Sequence, residues 1–249
     1  MRENNILLLG HTGFVGRNIA EVLQEANTPF TGGSLSTGVD LRDEGQTRTW
    51  LKEKQPDVII NCAAHVGSLN YVTQMAADVI SDNVQMILTL YKAVASCCPE
   101  ATIINPIANC AYPAHLTKYE EEQLWNGQVH RSVLSYGSSR RLLLNVAESY
   151  EMQHSIRTIN LLVPNMYGPY DSTDPNKAHA LNALISKFVK AEQENGQVTI
   201  WGTGVAIREW LYAKDFGRIL LHILQHPEMV GLAEPLNIAQ NFGLSVKEL

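Results

Sequence analysis

The sequence predicts a doubly wound α/β fold, a parallel (Rossmann) sheet covered by helices on both faces, and three observations carry that prediction. Short apolar, β-rich runs alternate with helix-period segments from the start of the chain onward. The first run, Leu7-Leu8-Leu9, enters a glycine-spaced turn, Gly10-His11-Thr12-Gly13-Phe14-Val15-Gly16, that opens straight into an amphipathic segment. The 249 residues, 45% of them hydrophobic, suffice for one large core with a small appended region.

Taken in order, residues 5–9 form the first predicted strand, and Val15, Ile19, Val22 and Leu23 then line one face of a helix. Strands follow at 29–31, 58–61, 102–105, 157–162, 198–201 and 235–238. Helices fall between them near 47–53, 75–95, 136–152, 181–194 and 216–224. From about Met166 the rhythm loosens into a loop rich in Pro, Asn, Asp and Gly. Residues 1–165 are therefore expected to form the dinucleotide-binding domain, and 166–249 a substrate-binding region interleaved with late core strands. Ser245, with Glu248 three residues on, is a capping-box pattern. A helix is expected to begin where the sequence stops, so the chain reads as truncated.

Composition excludes several classes. The net charge of −6 arises from 19 basic and 25 acidic residues without a Lys/Arg cluster, so no nucleic-acid partner is expected. No apolar run reaches membrane-spanning length, and the opening MRENNILLLG is too short for a signal peptide, so a cytoplasmic protein is expected. Cys62, Cys97, Cys98 and Cys110 form no CxxC pair and no ligand spacing; reduced thiols are expected, and no metal.

The glycine turn matches a pyrophosphate cradle. Glycines let the backbone approach the phosphates, and the helix N-terminus meets their charge. Gly10, Thr12, Gly13, Phe14, Val15 and Gly16 are its candidate contacts. The second strand ends in Thr31-Gly32-Gly33-Ser34, with neither the acid that reads a ribose hydroxyl nor the base that reads a 2′-phosphate, so NAD and NADP stay open. Asp40 and Leu41 fall where an adenine contact or a solvated turn can lie. Asn61-Cys62-Ala63-Ala64 closes the third strand with small side chains, which suits passage of a cofactor at Ala63 and Ala64 and equally suits plain packing.

Tyr136-Gly137-Ser138-Ser139-Arg140 opens a helix with phenol and guanidinium four residues apart on one face. A fixed cation there is expected to lower the phenol pKa from about 10 toward the range of a general acid/base. Without further context the pair is as well read as an exposed helix face.

These segments, with CAAHVG from Cys62, NCAYP from Asn109, PNMYGP from Pro164, the segment around His179 and WGTGVAIREWLYAKD from Trp201, resemble the extended short-chain dehydrogenases/reductases. Within them they are most similar to the GDP-L-fucose synthase branch, which epimerises and reduces a GDP-4-keto-6-deoxy sugar. The resemblance implies an NAD(P) cofactor touched also by Tyr136, Arg140 and Pro164. It implies Tyr136 as the acid that protonates the 4-keto oxygen, and Cys110 with His179 as the epimerising pair. It places Asn165, His179, Trp201 and Arg208 around the sugar nucleotide, with Arg208 on the diphosphate, and it implies a homodimer built from the helices at 75–95 and 136–152; Lys187, on the helix after His179, is a weaker candidate for the diphosphate and is as well read as a solvated helix face.

Two positions depart from the family pattern. Arg140 replaces a lysine, keeping the charge but unable to relay a proton. Ala108 replaces the serine that holds the substrate carbonyl, leaving the amide of Asn109 as the nearest donor. Loss of such a donor costs about 10²–10³ in rate. A reductase, an epimerase alone, a C4 epimerase or dehydrogenase with tightly held NAD, and a sugar-nucleotide binder without turnover are all compatible with that pattern.

Overall fold

The computed structural model describes residues 4–174, 177–200, 202–230 and 234–249. Its first strand, β1 (Ile6–Leu9), is buried on both faces and turns at Gly10 into α1 (Phe14–Glu25). Then come β2 (Phe30–Gly33), α2 (Glu44–Lys54), β3 (Val58–Asn61), the short α3 (Leu69–Gln74) and the long α4 (Ala76–Cys97). The Asp43 carboxylate caps α2 by accepting from Gln46 N at 2.9 Å, and Ser68 caps α3 by accepting from Tyr71 N at 3.3 Å. After β4 (Thr102–Ala108) the chain wanders to α5 (Leu134–His154), which Ser155 ends in a left-handed conformation at φ 56°. β5 (Thr158–Val163), β6 (Asn165–Tyr167) and α6 (Ala180–Gln193) precede β7 (Ile207–Arg208), β8 (Trp210–Tyr212), α7 (Ala213–Gln225), β9 (Leu236–Asn237) and β10 (Leu244–Ser245).

The main sheet is parallel throughout, in the order β2-β1-β3-β4-β5-β9. Alternation along each strand sorts its side chains into two cores. Leu7, Leu9, Ile59, Ile103 and Ile107 meet α2, α4 and α5 through Leu51, Leu90, Tyr91 and Leu143. Ile6, Leu8, Val58, Ile60 and Leu161 meet α1 and α7 through Ile19, Leu23, Phe216 and Leu220. The chain leaves β1 toward β2 on one side and returns to β3 on the other, so the ends of β1 and β3 form the topological switch where ligands bind in such sheets.

Three buried asparagines cross the sheet in register. The Asn61 amide donates to Asn105 Oδ1 at 3.1 Å, and the Asn105 amide donates to Asn160 Oδ1 and to the Tyr91 hydroxyl, each at 3.0 Å. Each bond contributes about 1 kcal/mol, while Asn61 Oδ1 at the end of the row is buried without a partner among the described residues.

The expected strand at 198–201 is not formed. Residues 196–200 are irregular and mostly exposed, since no core face lies over them; Trp201 lies outside the described residues. The late segments pair instead as β6 beside β8 and β10 antiparallel to β7. β8, α7 and β9 return to the core, so the outlying part is confined to roughly 169–208 and 239–249. The capping box at the C-terminus is formed: Ser245 N donates to Glu248 Oε2 at 2.8 Å, and Glu248 N to Ser245 Oγ at 3.3 Å.

Candidate active site

At the switch point the glycines are required by geometry. Gly10 has φ +73°, and a Cβ there would stand 2.7 Å from the Cys62 carbonyl, so the end of β1 lies flush on the end of β3. A Cβ on Gly16 would sit 2.2 Å from Gly10 O. α1 begins with no side-chain cap and no acidic residue in its first turn, leaving its N–H groups for an anion. A dinucleotide pyrophosphate therefore fits this cradle. Thr12 and Phe14 lie on the same turn. Thr12 N donates to Ser34 Oγ at 3.2 Å, and the Phe14 ring lies 5.4 Å from that of His179.

The adenine-side expectation is modified. Leu41 is only 6% exposed and packs into the core, so a ligand there would meet backbone rather than the leucine side chain. The Asp40 carboxylate is held by Arg42 Nε and a terminal guanidinium nitrogen at 2.9 and 2.8 Å, which keeps it below the usual carboxylate range. Arg42 reaches on to Asp82 at 3.1 Å, Asp82 meets His65 Nδ1 at 2.9 Å, and His65 Nε2 meets the Tyr71 hydroxyl at 2.8 Å. This chain ties the loop after β2 to the partly buried Ala63 and Ala64 after β3.

The candidate chemical centre lies where the end of β4 meets the start of α5. Cys110 lies in a single 3₁₀ turn, Asn109–Ala111, immediately beyond β4. A Cβ on Gly137 would stand 2.7 Å from Cys110 O, so only glycine lets this turn press against α5 beside Tyr136. The Arg140 guanidinium lies 4.9 Å from the Tyr136 ring centroid. It is 3% exposed and donates to Asn83 Oδ1 at 2.8 Å, while its Nε is buried without a partner among the described residues. Asn83 in turn donates to the His65 carbonyl at 2.7 Å.

The expected lowering of the Tyr136 pKa is overturned. Burial pushes the phenol up; Arg140 opposes this without prevailing, and Cys110 and Cys62 reinforce burial. Burial likewise pushes the Cys110 thiol up to about 12 against the pull of Arg140, and the Cys62 thiol up to about 12. At neutral pH both are thiols, not thiolates. Ala108 ends β4 and presents no donor, whereas the half-buried Asn109 side chain makes no hydrogen bond among the described residues.

His179 approaches from the other side, as the residue before α6. Its Nδ1 lies 2.9 Å from Asp171 Oδ1 and its backbone N donates to Asp171 Oδ2 at 3.0 Å. The Asp171 side chain is 4% exposed against 40% for His179. Burial alone would raise the Asp171 pKa, but the bonds from His179 and Asn182 outweigh it and hold the carboxylate below its ordinary value. Among the described residues His179 makes no hydrogen bond to Cys110 or Tyr136.

Asn165, following Pro164, donates to Glu209 O at 3.3 Å from the start of β6. Lys187 donates to Thr199 O at 3.4 Å, beside a shallow surface hollow lined also by Lys190 and Gly196. Arg208 is exposed on β7, donates to the Ile207 carbonyl at 2.8 Å, and its charge is felt by the Tyr119 phenol. Trp201 lies outside the described residues.

Three residues with clear roles here are not signalled by sequence. Asp171 orients His179, Asn83 holds Arg140, and Arg141 spans three carbonyls, donating to Ala111, Leu124 and Gly127 at 2.6, 2.9 and 2.7 Å. Arg141 thereby fixes the loop that follows Cys110. The Asp-rich loop and the doubled arginine are visible in sequence, but their partners are remote.

A glycine cradle at the switch point of a doubly wound sheet defines the class: a nicotinamide-dinucleotide enzyme. More particularly, the chain belongs to the NAD dependent epimerase/dehydratase family, whose model matches residues 6–239. It is 28% identical to a GDP-L-fucose synthase of Azorhizobium caulinodans over 250 residues, covering 99% of this chain and 78% of the relative. It is 28% identical to a GDP-L-colitose synthase of Yersinia pseudotuberculosis, covering 98% of this chain and 82% of the relative. A GDP-L-fucose synthetase of Naegleria fowleri bound to NADP superposes with a TM-score of 0.83 at 23% identity, covering 99% of this chain and 76% of that one.

Proposed function

We propose that the protein is an NAD(P)-dependent epimerase and 4-keto reductase acting on a GDP-linked deoxy sugar. The observation that carries this reading is the convergence of Tyr136, Arg140 and Cys110 on one seam, with Gly137 required to be glycine for the seam to close. The names of the relatives support the substrate class.

The residues take these roles. The turn from Gly10 to Gly16 holds the pyrophosphate, and Ala63, Ala64 and Pro164 line the rest of the cofactor path. Bound NAD(P)H supplies the hydride. Arg140 would hold the nicotinamide ribose as a fixed cation, and its Nε is buried without a partner among the described residues. Tyr136, whose phenol stays protonated at working pH, gives its proton to the 4-keto oxygen. Asn109 donates to that oxygen in place of a hydroxyl at 108.

For epimerisation, the Asp171 carboxylate keeps the proton of His179 on Nδ1, leaving Nε2 as the base that removes a proton beside the ketone. The neutral Cys110 thiol returns a proton from the opposite face. Asn165, Lys187, Trp201 and Arg208 hold the sugar nucleotide, Arg208 at the diphosphate. Residues 1–165 bind the cofactor and the outlying part of 166–249 covers the substrate.

No described helix is long and apolar enough to cross a membrane. We place the enzyme in the cytoplasm, as a homodimer through α4 and α5; Ile80, Val84 and Leu88, one turn apart on α4, are only partly buried in the single chain. A second reading, in which epimerisation outpaces reduction, is favoured by Ala108. The test is incubation with NADH or NADPH and a panel of 4-keto sugar nucleotides in deuterated water. Cofactor oxidation with deuterium at the carbons beside the ketone supports the proposal; neither event with any sugar overturns it.

A further inference from the structure

We infer that the end of β2 selects NAD(H) over NADP(H), through a neutral hydroxyl pair, Thr12 and Ser36, in a segment without a free cation. The inference rests on the cradle from Gly10 to Gly16 holding the dinucleotide.

In a doubly wound fold the group that reads the adenosine ribose follows the second strand, about 20 residues beyond the last cradle glycine. Ser36 occupies that place after Gly16. The structure joins this segment to the cradle directly. Thr12 Oγ1 lies 2.8 Å from Ser36 Oγ, and Ser34 Oγ accepts from Thr12 N at 3.2 Å and meets His11 Nδ1 at 3.0 Å. Ser34 is buried and already shared between two partners; the Thr12–Ser36 pair is exposed and can exchange its mutual bond for bonds to a ribose diol.

A 2′-phosphate needs a compensating positive charge there. Between Arg17 and Arg42 the sequence contains no lysine or arginine. The two arginines that bracket the segment are both engaged. Arg17 stands over the Tyr170 ring at 5.5 Å. Arg42 is held by two carboxylates, Asp40 at 2.8 Å and Asp82 at 3.1 Å, which push its pKa up and spend its charge. Recruiting Arg42 to a phosphate would break the chain that runs through Asp82 and His65 toward Tyr71. His11 is the titratable group that lies over the end of β2, its ring against Gly32, where a Cβ would come within 2.6 Å of it. With no acid at the end of β2 either, from Thr31 to Ser36, the ribose meets hydroxyls alone, enough for a diol and too little for a doubly charged ester. The preference does not follow from the relatives, since the Naegleria structure holds NADP.

The test is direct binding, without turnover: titration of the purified protein with NADH and with NADPH, read by enhancement of nicotinamide fluorescence. The expected result is a Kd for NADH about tenfold or more below that for NADPH. Ser36→Arg, on an exposed loop, is expected to narrow or reverse the ratio by tightening NADPH. NADPH binding as tightly as NADH, or a ratio unmoved in a folded Ser36→Arg protein, overturns the inference while leaving the dinucleotide site intact. Binding of neither cofactor overturns both.

Discussion

Arg140 stands 4.9 Å from the Tyr136 ring, yet the phenol there is pushed up, because burial outweighs one cation that Asn83 already shares. A phenol of raised pKa suits donation to a developing alkoxide. Tyr136→Phe is expected to slow reduction by about 10²–10⁴ while the Kd for NADH stays within about twofold, read by single-turnover kinetics and titration. Cys110 makes a complementary test. With its thiol pushed up to about 12, alkylation by iodoacetamide should be slow at pH 7 and climb steeply above pH 9, followed by peptide mass spectrometry. Rapid labelling at pH 7 would show a thiolate and remove the thiol from its donor role.

At this scale the sequence made residue types legible but not their environments. Tyr136, Arg140 and Cys110 are recognisable from motif, and the structure gathers them. The sign of the phenol shift was not legible, since burial is a property of the whole seam. Asp171 was not legible either, because a carboxylate eight residues from His179 becomes its partner only when the loop doubles back. The lowered Asp171 pKa means its contribution to stability is present above the ordinary carboxylate range and is lost as pH falls through the lowered value.

Among the elements, the seam between β4 and α5 depends on a glycine inside a helix, normally an unfavourable choice. Gly137→Ala would put a Cβ 2.7 Å from Cys110 O and must push the 3₁₀ turn off α5. A loss of about 1–3 kcal/mol is expected, with a lowered Tm and loss of turnover. Gly45→Ala, near the start of α2, meets only Asp43 at 3.4 Å and is the tolerated control. An equal response of both variants in thermal unfolding would contradict the packing argument. The long elements were readable to within a few residues because β1 and the Val58–Ile60 stretch of β3 are unbroken, fully buried apolar runs and α1 and α4 each bury one mainly apolar face. The β6–β8 pair was not, since three-residue strands carry no period, and a β-rich run at 198–200 found no sheet to join.

Over the whole molecule, two cores built on opposite faces of one sheet hold the cradle and the seam in fixed relation, while α6 has no buried residue among those described. Limited proteolysis is therefore expected to cut first within 177–206, ahead of any site in α4 or α5. If α4 and α5 form the dimer contact, Val84→Arg should convert a dimer to a monomer in light scattering with cofactor binding retained; a monomer before mutation would contradict that arrangement. The fold class was legible because alternation of strand and helix is a global signal.

The most direct test of the central claim, that the Tyr136 seam and the Asp171–His179 pair work on one ketone, is deuterium incorporation into a GDP-4-keto-6-deoxy sugar in deuterated water, comparing wild type, Tyr136→Phe and His179→Asn by mass spectrometry. The predicted result is deuterium beside the ketone in wild type, its retention in Tyr136→Phe with reduction lost, and its loss in His179→Asn. Full incorporation by His179→Asn, or none by a wild-type protein that binds cofactor, would contradict the account.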